Sequence, residues 1–381
     1  MKFMKKAVAS LLAVAMLAGA AGCSGDKSWA MKTDSFTAPI GTYIYYLNTA
    51  YQTASYSVKD TSKPVLEQTI DNQSAEAWIK DKALTYIKEL FVINDKMKEL
   101  NLTLTDAETK NVSDSAESQW SQYSSTLEQY GISKNSYRIA GPEFYAKFEK
   151  VFYALYGKGG KKEVSDADLK SYFESNYTDF SYVVAPLYKA DSNSGYAELT
   201  DAEKAALKKE FEGYASDINS GKMTMQQAAD SYKTSSKKTD EQLHTATMIL
   251  NDSSSFPADF KTVLTSLKNG ETKAAELTSS GVYILVSKGD ITKKTSEYLS
   301  GDNRNSILSS MKIKEFTDAI EKEAKEYNKA KVNQSAIDSY KPSMFVTPTS
   351  STAAPAASSA AASSSASSSS AAAASSTASS K

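Results

Sequence analysis

Phe180-Ser-Tyr-Val-Val-Ala-Pro-Leu-Tyr188 and Gly281-Val-Tyr-Ile-Leu-Val-Ser-Lys-Gly289 bracket the middle of this chain. Both runs are rich in β-branched and aromatic residues and close on turn formers, which is how strands read. Three helical patterns lie between them. Thr200-Asp-Ala-Glu203 is a capping box for the first, whose Leu207, Phe211, Tyr214 and Ile218 share one face before Gly221. Thr224-Met-Gln-Gln227 caps the second. In the third, Phe260, Val263, Leu264 and Leu267 recur at helical spacing after Pro257. The layout is βαααβ in one compact domain. Pro186 cannot donate to a ladder, so the first strand is either bulged or lies at an edge.

The segment from Trp29 to Tyr172 reads almost wholly as helix. Ile44, Leu47, Tyr51 and Ala54 form one stripe beside Tyr43 and Tyr46. Ser74 caps a second helix through Trp78, Leu84, Ile87, Phe91 and Met97. Thr105-Asp-Ala-Glu108 is a capping box for a third, carrying Val112, Ala116, Trp120, Tyr123, Leu127 and Tyr130 until Gly131. Pro142 opens a helix with Phe144, Phe148, Val151 and Leu155, and Ser165 starts a short one with Leu169, Tyr172 and Phe173. After Asp290 a long amphipathic helix spans about Asn303 to Asn328. The fold class is α+β, and the 324 or so residues left between the ends suffice for two domains with real cores.

These pieces resemble two parts of one protein family. Ile218 to Ala229, Phe256-Pro-Ala-Asp-Phe260, Leu267-Lys-Asn-Gly-Glu271 and the closing Gly-x-x-Ile strand are similar to a parvulin-type peptidyl-prolyl isomerase domain. Ala83 to Leu104, Tyr130-Gly-Ile-Ser133, Tyr137-Arg138 and Val164-Ser-Asp-Ala-Asp168 look like the chaperone region of PrsA/SurA-type extracytoplasmic foldases. The resemblance implies a signal over 1–22, a helical chaperone domain over 23–179 completed by a returning helix in 293–346, and a parvulin-like insertion over 180–292. It implies unfolded or extended secreted polypeptides as partners, and it leaves a homodimer open.

The isomerase chemistry of that family is poorly kept. Its two histidine positions fall near Ala185 and on Tyr283, and its acid or cysteine position falls near Ser235. The family's glycine pair is replaced near Asp240 and Glu241. Phe256 and Phe260 occupy positions that resemble the proline-ring pocket, with Tyr283 as a third substrate-binding candidate. Prolyl rotation needs only relief of amide resonance against a barrier of about 18 to 20 kcal/mol, and contacts stronger in the twisted amide are what accelerate it. A core face of its helix explains Phe260 without any ligand. His244, the sole histidine, lies at neither histidine position and reads as a surface or satisfied buried side chain.

The chain ends point to a compartment. Lys2, Lys5 and Lys6 precede an apolar run from Ala7 to Ala21, a secretory signal too short to span a bilayer. Ala20-Ala-Gly-Cys23 resembles a bacterial lipobox, which implies lipid attachment at Cys23 and a place on the outer face of the cell membrane. Cys23 is the only cysteine, so an intramolecular disulfide is impossible. From 347 to 381 the chain is mostly alanine and serine and is expected to be disordered.

Composition narrows the function. Forty-four basic residues against forty-five acidic ones give no electrostatic case for nucleic acid. One histidine and one cysteine exclude the usual zinc sites and cysteine–histidine nucleophiles, so neither metal nor cofactor is expected. Three readings follow: a foldase whose isomerase domain binds clients without turning them over, an active prolyl isomerase in which Tyr283 replaces part of the histidine network, and a surface lipoprotein that only holds a scaffold or small ligand.

Overall fold

The structure, a computed structural model, describes residues 28–191, 195–236, 242–251 and 254–346. The signal, Cys23, Asp240, Glu241 and the 347–381 tail lie outside the described residues. Strand β1 (Trp29–Lys32) pairs antiparallel with β2 (Thr37–Pro39), and Pro39 leads into α1 (Ile40–Ser57). Tyr43, Ile44, Leu47, Ala50 and Ala54 are buried on one stripe of α1. A small hairpin, β3 (Thr69–Ile70) and β4 (Gln73–Ser74), turns on Asp71 and Asn72 in the left-handed region. Ser74 Oγ then accepts from Ala77 N and opens α2 (Ala75–Glu99). The reciprocal box of Thr105 and Glu108 opens α3 (Asp106–Gln129), and Gly131 follows it at φ +79°.

Helix α3 departs from the sequence reading. Only Val112 and Ala116 are buried, and Tyr123 stands exposed. Its helical spacing therefore marks a mostly solvated helix whose caps hold it, with little packing of its own. The next departure is at Pro142. The chain is already helical in α4 (Lys134–Arg138), passes through a π turn at Ile139–Glu143 that contains Pro142, and continues as α5 (Phe144–Tyr156). Proline has no N–H to donate, and the wider turn absorbs that loss without ending the helix. Two carbonyls near the turn are held from α1, by Thr42 Oγ1 on Ser136 O and by Tyr46 Oη on Ala140 O at 3.0 Å. Ser165 caps α6 (Asp166–Asn176).

The central segment builds an antiparallel sheet. It comprises β5 (Tyr177–Pro186), the outlying hairpin of β6 (Tyr188–Asp191) and β7 (Gly195–Glu198), α7 (Asp201–Asn219), α8 (Met225–Ser236), β8 (His244–Ile249), α9 (Ala258–Ser266), β9 (Thr272–Leu277) and β10 (Val282–Lys288). Sheet order is β8-β5-β10-β9. The three helices of the βαααβ layout are there, and β8, β9 and the β6–β7 hairpin are added to it. The two bracketing runs are direct neighbours, with Pro186 opposite Val282 and Phe180 opposite Lys288 in unbroken register. Strand β5 is thus interior and unbulged. Pro186 is tolerated because β8 reaches only from Tyr177 to Tyr182, leaving the proline's far side without a ladder. At the β9–β10 turn, Gly281 has φ +63° and a Cβ there would meet the Tyr188 ring at 2.6 Å, so only glycine fits.

The last elements are α10 (Thr295–Tyr298), α11 (Gly301–Glu326), β11 (Lys331–Val332) and α12 (Gln334–Asp338). Helix α11 packs on α2, α5 and α6, where Phe316, Ile320, Ile307 and Leu308 join Val92, Phe152, Tyr156 and Phe173 in one core. Lys82 pairs with Glu321 and Lys96 with Glu323 along the α2–α11 seam. Strand β11 adds to β1, so the segment after the sheet closes back onto the segment before it. The architecture is α+β, with helices dominating and the four-stranded sheet between the two helical stretches.

Candidate functional site

Strand alternation divides the sheet's side chains into two faces. Val183, Ala185, Tyr283 and Leu285 point to the side covered by α7 and α8, where they meet Leu207, Phe211, Ala228, Ala229 and Tyr232. Phe180, Tyr182, Val184, Ile284 and Val286 point to the other side, covered by α9 through Phe260 and Leu264. Asn219 at the end of α7 exchanges two hydrogen bonds with Thr272 of β9, at 2.8 and 2.9 Å, which fixes α7 against the sheet edge.

Phe256 and Phe260 come together as expected. Their rings stack at 4.6 Å. Phe260 is buried, so its helix-core reading is correct, and Phe256 is half-buried beside it. Phe180 supplies the floor at 5.3 Å from Phe256 and 5.6 Å from Phe260. Edge contacts bring in Tyr182, at 5.8 Å from Phe256 and 5.5 Å from Phe260. His244 lies opposite Tyr182 in the β5–β8 register and stacks on its ring at 4.9 Å. The result is an aromatic shelf with a buried floor and a half-exposed upper edge of Tyr182, His244 and Phe256.

The other named positions do not join it. Ala185 and Tyr283 are directly opposite each other on β5 and β10. They are, however, 0% and 6% exposed, and they face α7 and α8. Tyr283 packs edge-on to Phe211 at 5.8 Å, and burial, followed by the charges of Glu212 and Glu276, raises its hydroxyl pKa. The sheet itself separates Tyr283 from Phe256 and Phe260. Ser235 is exposed at the end of α8 and donates to Glu210 Oε1 of α7 at 2.6 Å. Ala185, Tyr283 and Ser235 therefore form no polar triad.

Tyr182 and His244 went unread in the sequence as site residues. Counting by twos from Phe180 places Tyr182 on the same face, which was the available signal; nothing local tied His244 to it. The shelf offers flat apolar faces to a proline or aromatic ring, with the Tyr182 hydroxyl and the His244 ring as polar groups at its edge. Burial raises the Tyr182 pKa, so its hydroxyl stays a neutral donor at physiological pH. Among the described residues no cluster of three His, Cys, Asp or Glu side chains could hold a metal ion. No described helix is long and apolar enough to cross a membrane.

No family model matches the chain, and no curated protein matches it. Solved structures similar to it include PrsA foldases. The foldase protein PrsA from Streptococcus pneumoniae strain Canada MDR_19A is 16% identical over 74% of this chain and 97% of its own, with a TM-score of 0.36. PrsA from Lactococcus lactis is 18% identical over 84% and 98%, with a TM-score of 0.32. PrsA from Bacillus subtilis is 16% identical over 79% and 91%, with a TM-score of 0.27.

Proposed function

We propose that this protein is an extracytoplasmic foldase that holds unfolded secreted polypeptides and does not rotate their prolyl bonds at a useful rate. In this reading residues 23–179 and 293–346 form the chaperone body, 180–292 form a parvulin-like insertion, and Cys23 carries the lipid that ties the protein to the outer face of the membrane. The observation that supports it best is the pairing of Ala185 with Tyr283. The positions where the family carries paired imidazoles hold a methyl group and a phenol, packed into an apolar cluster. Across the sheet, the Phe256 shelf keeps the apolar grip. Binding that is equal for planar and twisted amides lowers no barrier, so such a shelf clasps and does not catalyse.

The test uses the full chain. At near-stoichiometric ratio it is expected to suppress aggregation of a chemically unfolded secreted protein, while leaving cis-to-trans relaxation of a prolyl tetrapeptide at its uncatalysed rate. No protection of any unfolded client would sink the reading. In cells, Cys23→Ser is expected to shift the protein from the membrane fraction to the medium.

One observation favours a second reading. Tyr182 and His244 stack beside the phenylalanine pair and bring a hydroxyl and an imidazole to its rim. Prolyl relaxation accelerated by the wild type and lost in both His244→Ala and Tyr182→Phe would establish residual isomerase activity on this face.

A further inference from the structure

A second aromatic site lies among the helices, well away in sequence from the shelf. A cleft of about 310 Å3 opens between α1, α2, α5 and α11. Tyr45 and Tyr46 come from α1, Tyr86 and Glu89 from α2, and Tyr145 and Phe148 from α5. The π turn at Ile139–Glu143 sets the far wall, because it delivers Ala140 to the cleft and receives the Tyr46 hydroxyl on that residue's carbonyl. Such turns within helices occur often at functional sites. Tyr45 and Tyr46 meet at 5.8 Å and Tyr46 and Tyr86 at 5.9 Å, so the rings form a curved wall. Tyr145 is 66% exposed and forms its open side.

One acid faces this wall. Glu89 makes no hydrogen bond or ion pair among the described residues. Burial first, against the pull of Lys82 and Lys325 and with the push of Glu321, raises its carboxyl pKa to about 7. Both lysines are already held by Glu321. Lys82 also shows what the wall accepts, since its ammonium sits 5.1 Å from the Tyr86 ring centroid. Electron-rich ring faces around an uncompensated carboxylate complement an organic cation.

We propose that this cleft receives a lysine side chain of an extended polypeptide, its methylenes lying along Tyr45, Tyr86 and Phe148 and its ammonium meeting Glu89. The inference rests on the foldase reading for its ligand and goes beyond it by naming the side chain that is read. Lysine is the side chain named because this wall already takes an ammonium, that of Lys82, against the Tyr86 ring.

Isothermal titration of the full chain with a short extended peptide, Ac-Ser-Gly-Lys-Gly-Ser-amide, tests it against the same peptide carrying norleucine. The lysine peptide is expected to bind about tenfold tighter, and Glu89→Gln, which keeps the side chain's shape, is expected to erase that difference. Removing one ring by Tyr86→Leu should weaken the lysine peptide several-fold. Affinity for lysine should rise from pH 6 to pH 8 as Glu89 ionises, with Lys82, Lys325, Glu321, Tyr46 and Tyr145 as the other charged or titratable groups facing it. Butylammonium competing with the peptide would show that the cation alone is read.

Equal binding of the norleucine peptide, or binding indifferent to Glu89→Gln, would overturn the inference and leave a plain apolar cleft. The two proposals fail separately. A client with acetylated lysines that is protected as well as the native one removes the lysine site and keeps the foldase. A lysine peptide that binds while no client is protected does the reverse.

Discussion

The two faces of the four-stranded sheet are made by alternate residues of the same strands and are closed to different degrees. On the α7–α8 face, Val183, Ala185, Tyr283 and Leu285 are all buried against Phe211, Tyr232 and two alanines. On the α9 face, Phe180 and Ile284 are equally buried, but Tyr182, His244 and Phe256 remain half-exposed around them. The first face is closed by two helices. The second is covered by one short helix, and aromatic area is left at its margin that no other element caps among the described residues. Removing apolar area from water yields about 25 cal/mol per Å2, so rings left half-wet in an otherwise packed layer forgo stability that closure would supply. That contrast is the ground on which stability is proposed for one face and recognition for the other.

The largest expected effect comes from breaking the closed face. Phe211 is fully buried and touches Tyr214, Tyr232 and Tyr283 at 6.0, 4.9 and 5.8 Å. Phe211→Ala is expected to cost about 3 to 5 kcal/mol through lost transfer and the cavity left behind, read as a fall in the urea midpoint. Client protection by the folded fraction should be unchanged. A loss of protection beyond the loss of folded protein would place recognition on the wrong face.

Phe256→Ala should divide the other way. A half-buried ring stacked on Phe260 is expected to cost about 1 to 2 kcal/mol in stability. Binding of a proline-containing peptide should fall severalfold or more, because the shelf loses its exposed ring while Phe180 and Phe260 keep the floor. A binding constant indifferent to Phe256 would remove the shelf as a site. A third comparison is Ala185→His, which places an imidazole where the resemblance implies one. Ala185 is fully buried and its site has no room for the larger ring, so destabilisation of about 2 to 3 kcal/mol is expected and no gain in prolyl rotation.

How legible these faces were depends on the range of the physics involved. Helix starts at Ser74, Thr105, Ser165 and Thr200 were readable because a cap is settled by residues three apart. The strand character of β5 and β10 was readable from two runs of β-branched and aromatic residues closed by turn formers. Strand β9 was not readable: Thr-Lys-Ala-Ala-Glu-Leu favours helix locally, and only pairing with β10 makes it extended. Strand β8 likewise takes its form from β5. The grouping of Phe256 with Tyr283 failed because both are aromatic and both lie near the family's site positions, whereas strand parity sends Tyr283 through the sheet to the other side. The tyrosine cleft draws on α1, α2 and α5, and no single helix shows it. At Pro142 the expected helix start gave way to a π turn, whose Ala140 carbonyl is met from a helix about ninety residues earlier in the chain.

The smallest expected effect decides the sharpest question. Tyr283 is the one side chain at a histidine position that still carries a proton donor, and an active isomerase built on it requires the hydroxyl to reach the twisting amide. Its ring is packed edge-on against Phe211, burial has raised its pKa, and the sheet stands between it and Phe256. The hydroxyl is therefore a neutral phenol through pH 6 to 9, so no pH dependence should arise from it in that range. Tyr283→Phe removes one oxygen and leaves the packing, and the expected cost is under about 1 kcal/mol. Prolyl peptide relaxation and client protection should both match the wild type. If relaxation is accelerated by the wild type and falls with Tyr283→Phe, the two faces must exchange roles, because a catalytic hydroxyl there would have to meet its substrate between the sheet and α7.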